Sequence, residues 1–164
     1  MARARAIGDL AAEQPYGKAA ARAVEVRAAE LAEQSSSVLD IGDIERVHDL
    51  RVACRRLRAA LEAFEPCFPA SLWRATLEDV KRLADALGER RDRDVSIAAL
   101  ERFAAGMPAA DRAGIGSLVG ELRREQGEAN KALAPLVAEE RLAGLGDHLR
   151  EMVAEARQAA RFQG

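Results

Sequence analysis

A chain of 164 residues, 49% of them hydrophobic, can bury one substantial core without disulfide or metal staples. Aromatic residues make up only 4%, alanine and leucine dominate, and β-branched residues are sparse, which favours helices and argues against a β-sheet architecture. The formal net charge of −2 gives no bulk sign of a nucleic-acid binder.

The basic residues are almost all arginine, with lysine only at Lys18, Lys81 and Lys131. Arginine's planar fork suits phosphate and carboxylate, although a GC-rich coding genome produces the same bias. Cys54 and Cys67 have neither metal-ligand nor disulfide spacing. Met1 to Leu10 is too charged to read as a leader, and no stretch reaches the ~20 apolar residues of a membrane span. A soluble cytoplasmic protein is the expectation, with residues 1–164 forming a single domain.

In chain order, a first helix is predicted from about Tyr16 to Gln34, ending in Ser35, Ser36 and Ser37. Asp43 is a candidate N-cap for a second, running from about Ile44 to Phe64 and stopping before Pro66 and Pro69. Ser71 could cap a third reaching Leu87, with Gly88 as its stop, and a shorter fourth follows to about Ala105. From Asp111 to about Glu139 a long pattern is weakened by Gly114, Gly116, Gly120, Gly127 and Pro135. A last helix is predicted over about Leu145 to Phe162. The expected fold is all-α, an antiparallel bundle of five to six helices.

The second helix carries the chemistry. At about 100° per residue, Val47, Leu50, Cys54, Leu57, Leu61 and Phe64 form a broad apolar arc. His48, Arg51, Arg55 and Arg58 fall on a narrow arc beside it, with Val52 and Ala59 on the other flank. Like charges stacked in this way destabilise a helix by a few tenths of a kcal/mol per pair. An anion that compensates them and ion pairing or solvation of the arginines are the two readings open. Glu62 shares the stripe's angle, whereas Glu45 and Asp49 point away, towards Arg56.

The third helix repeats the geometry, with Trp73, Leu77, Val80, Ala84 and Leu87 apolar and Arg74 and Lys81 at the edge. Two such edges meeting would line a groove with positive charge, although Glu78 and Asp85 flank Lys81 and compete for it. In the segment after Gly88, Asp92 and Asp94 read as helix-start residues, and Arg91 either binds ligand or braces those aspartates.

The run His48-Asp49-Leu50-Arg51-Val52-Ala53-Cys54-Arg55-Arg56-Leu57-Arg58, then Lys81 and Leu87-Gly88-x-x-Arg91-Asp92-x-Asp94-Val95, resembles the CHAD family, the conserved histidine α-helical domain. The resemblance is strong from about Ile44 to Val95 and diffuse beyond. It implies a helical bundle that binds inorganic polyphosphate in a basic central groove, often in association with polyphosphate granules. It further implies that His48, Arg51, Arg55, Arg58, Lys81 and Arg91 contribute to that groove. Arg56 matches the motif too, although its angle turns it from the stripe, and Arg74 joins through the geometry of the third helix. Arg124 and Lys131, seven apart, could add a further wall.

One departure stands out. CHAD domains usually contain two related halves, each with a His-x-x-Arg-type basic helix, and only one copy is found here; His148-Leu149-Arg150 is off register. Either two chains pair as a homodimer to rebuild the groove, or the site is a shallower half.

Three other readings compete with an anion site. Glu45-x-x-His48 has the form used by di-iron bundles, but Leu145 stands where a second glutamate would precede His148. The Glu-x-Glu-x-Lys signature of the CYTH triphosphatases that often accompany CHAD domains is absent. The expectation is a non-enzyme without metal or cofactor. Nucleic-acid binding is disfavoured because stacking aromatics are nearly absent. A structural helical scaffold with paired arginines is the third alternative.

Overall fold

The helical periodicity is realised in five α-helices among residues 3–8 and 10–161, which the computed structural model describes. They are α1 (Tyr16–Gln34), α2 (Ile44–Ala63), α3 (Ala70–Ala105), α4 (Ala113–Leu133) and α5 (Glu139–Arg161), with short 3-10 turns between. Phe162, expected to end the last helix, and Met1, in the segment read for a leader, lie outside the described residues. No helix among the described residues is long and apolar enough to cross a membrane.

Helices α1 and α2 begin where expected, but other details of the helix ends are corrected. Asp43 occupies the N-cap position of α2 without capping it; its carboxylate takes the Arg46 guanidinium instead, at 3.1 Å. Ser71 lies inside α3, which starts at Ala70 behind Pro69. Most consequentially, Gly88 does not stop α3, which runs unbroken for 36 residues and absorbs the expected fourth helix. An interior glycine costs only about 1 kcal/mol relative to alanine. Burial of the apolar side chains Leu83, Leu87 and Ile97 on either side of that point outweighs it. Pro135 does divide the long pattern after Asp111, in the 3-10 turn Ala134–Leu136, and α5 starts six residues earlier than expected.

Helix α1 packs on α2 and α5, α2 on α3, and α3 touches α5, so the first half of α3 closes one core with the other three. The apolar arc of α2 lies at its centre: Val47, Leu50, Cys54, Leu57 and Leu61 are all fully buried. Phe64, the last of that arc, is half-buried and meets the Tyr16 ring at 5.1 Å. Gly17 allows α1 and α5 their close approach, since a Cβ there would lie 2.8 Å from the Ala156 carbonyl oxygen. The second half of α3 leaves the core with α4 as an antiparallel hairpin in which α4 buries only Gln126 and Leu133.

Burial pushes the Cys54 thiol up to about 12 and raises that of half-buried Cys67 as well. At pH 8 an aromatic disulfide reagent is expected to label Cys67 in the native protein and Cys54 only after unfolding. Native labelling of both thiols would contradict the packing of α2. From the ordinary value of 9.0 upward the unfolded Cys54 thiol ionises while the folded one keeps its proton, so this contribution to stability declines as pH rises towards about 12.

Candidate polyanion site on the α2–α3 face

Two hydrogen bonds join α2 to α3. Trp73 Nε1 donates to the Leu61 carbonyl at 2.8 Å, and Arg91 Nη1 donates to the Ile44 carbonyl at 3.0 Å. Between them Gly88 faces Arg51, whose Nε would be 3.8 Å from a Cβ at position 88. The register is antiparallel, so the α2 stripe runs beside the edge of α3 that carries Arg74 and Lys81. Arg51 of the α2 stripe thus stands beside Gly88, one seven-residue step along α3 from Lys81.

The cations on this face divide into two sets. Arg58 donates to Glu62 at 2.8 Å, and Lys81 to Glu78 at 3.1 Å. The hydrogen bond and charge of Glu62 raise the Arg58 pKa above its ordinary value, with weaker attraction from Asp85 and Glu78. Both pairs are well exposed, with side-chain accessibilities between 34% and 57%. Solvent screens such exposed pairs, so they hold their partners weakly.

Arg51, Arg55 and Arg74 form the second set: exposed, with no carboxylate within ion-pairing distance. Half-buried His48 lies beside them on the same arc. Among the described residues, most other basic side chains are paired. Those without a carboxylate partner are Lys18 and Arg161 at the outer ends of α1 and α5, Arg3 and Arg112 outside the α-helices, and Arg102 on α3. The unpaired cations of the helix bodies are thus concentrated on α2 and α3.

Four other basic residues singled out in the sequence stand elsewhere. Arg56 faces α1, with Nη1 3.8 Å from the buried Glu30 carboxylate, as its helical angle required. Arg91 is mostly buried and spans to the start of α2, holding Glu45 at 3.5 Å besides the Ile44 carbonyl. It braces α2 rather than the aspartates next to it. Arg124 and Lys131 lie roughly 140–160° round α4 from Gln126, so they add no wall to the groove. Each pairs with a glutamate of its own helix instead, Glu121 at 3.4 Å and Glu128 at 2.8 Å.

Sequence reasoning also missed a buried polar seam between α3 and α4. Arg90 and Asp94, 0% and 1% exposed, pair at 3.0 Å one turn apart. Asn130 accepts from Arg90, Gln126 donates to Asp94, and Asn130 in turn donates to the Leu39 carbonyl at 3.0 Å. Asp94 is therefore an interior helix residue rather than part of a new helix start, and exposed Asp92 lies mid-helix too. The i,i+4 spacing of Arg90 and Asp94 was the available signal, hidden by the assumption that Gly88 ended the helix.

The family-level comparison bears on the same residues. The CHAD domain model matches residues 12–163, nearly the whole chain. This chain belongs to the CHAD domain family. No curated protein and no solved structure matches it. The CHAD match takes in all of α2 and α3, and with them both basic edges. An apolar trough of about 1050 Å³ lies between α1 and α5, lined by residues such as Ala28, Ala32, Leu142 and Val153. Its lining suits apolar contact, and it lies away from the unpaired arginines.

Proposed function

We propose that this CHAD domain binds inorganic polyphosphate along the α2–α3 face, making and breaking no covalent bond. The observation that carries this reading is the concentration of unpaired arginines, Arg51, Arg55 and Arg74, on the face formed by the family motif. Guanidinium forks would engage successive phosphate oxygens through charge-assisted hydrogen bonds. Arg58 and Lys81 would exchange their exposed carboxylates for phosphate, and His48 would add a donor, strengthened on protonation. Arg91 would hold the end of the face in shape, and Arg56 would stand outside it. A homodimer pairing two such faces would place cations opposite cations, a repulsion that a polyanion between them would offset.

Titration of the purified chain with long-chain polyphosphate at several salt concentrations tests the reading. Binding is expected at low salt and should weaken steeply as salt rises, because the bound cations release counterions from the polyanion. Light scattering on the same samples reports whether ligand pairs two chains. No binding at low salt, or an affinity indifferent to salt, would overturn the proposal. Preference for DNA over polyphosphate of matched charge would favour the nucleic-acid alternative.

A further inference from the structure

The unpaired cations continue beyond the stretch that resembles the family motif. Steps of seven residues along α3 connect Arg74, Lys81, Gly88, Val95 and Arg102. Seven residues fall about 20° short of two full helical turns, so these positions make one slanting row along the helix. Arg74, Val95 and Arg102 are exposed, while Lys81 and Gly88 are partly covered beside α2. Gly88 keeps the row open where it passes Arg51, because a longer side chain would fill the space next to that guanidinium.

Beyond Gly88 the row enters an open groove of about 610 Å³, with Val95 and Arg102 on one wall and Ile44 and Glu45 across from them. The groove holds two carboxylates, and both are engaged: Glu45 by Arg91 at 3.5 Å, and Glu101 by Arg123 of α4. Arg102 uses Nε on the Ala98 carbonyl at 3.2 Å, and its two terminal nitrogens have no protein partner. It is the unneutralised cation of this groove. Such a row exists only because α3 runs unbroken through Gly88.

We propose that the polyphosphate track extends along this row to Arg102, so that the site reads an extended polyanion of about 42 Å, 28 residues at 1.5 Å each, rather than a compact phosphate cluster. The inference rests on the proposed function and adds a chain-length requirement to it. Arg102 acts as the distal contact, reached only by chains long enough to pass Gly88.

The test uses narrow length fractions of polyphosphate, from tripolyphosphate to chains longer than the track, against the full chain at fixed salt. Wild-type affinity is expected to climb with length until the ligand spans the row and then level off. Arg102→Gln should lose about tenfold for spanning chains and nothing for tripolyphosphate, the loss of one charge-assisted contact. Arg102→Lys, which keeps the charge, should recover most of that loss, and Arg150→Gln on α5 serves as the charge-matched control. Equal loss at every length, or no loss at any, overturns the extended track. A wild-type chain that binds no length of polyphosphate instead overturns the proposed function, a distinguishable result.

Discussion

Arg90→Ala is expected to lower unfolding stability by about 3–5 kcal/mol, because it strands a buried carboxylate. Arg90 and Asp94 are both inaccessible and pair at 3.0 Å, so the alanine variant leaves Asp94 charged, buried and held only by Gln126. Even in the native chain Arg90 Nη2 and Asp94 Oδ2 have no hydrogen-bond partner. The seam is therefore incompletely compensated, and its desolvation weighs against it. A double variant, Arg90→Met with Asp94→Leu, removes both charges and should regain most of the loss, although Gln126 and Asn130 then lose partners. Urea unfolding of the two variants measures the difference. A cost below about 1 kcal/mol for Arg90→Ala would show that the pair is solvated and the hairpin loosely packed.

The second large effect concerns binding. Arg51→Glu with Arg55→Glu should weaken polyphosphate binding by more than about a hundredfold, since two charge-assisted contacts of about 1.5–3 kcal/mol each are replaced by repulsion. Both side chains are exposed and free of carboxylate partners, so helicity and thermal midpoint should hold. The dependence of affinity on salt should also become shallower, because fewer cations displace counterions. Retention of affinity within tenfold would move the site off this face. Collapse of the helical signal would assign the arginines to holding the fold.

These two experiments divide along the line between what was legible in the sequence and what was not. The α2 arginines were legible because a single amphipathic helix fixes its own angular pattern. Val47, Leu50, Cys54, Leu57 and Leu61 did go to the core, and Arg51, Arg55 and Arg58 to its solvent edge. Arg56 turned away from that edge for the same local reason. The Arg90–Asp94 pair was illegible because reading it required α3 to continue through Gly88, which local propensity argues against.

From the sequence alone came the helical class, the start of α2 and the circumference of the basic stripe, all properties of 3.6-residue periodicity within one element. Only the tertiary structure decided which cations are free. Pairing across helices depends on carboxylates that only the packing brings near: Glu45 takes Arg91, and Arg123 of α4 engages Glu101 beside Arg102. It likewise decided the length of α3, because burial of Leu83, Leu87 and Ile97 outweighs the local cost of one glycine.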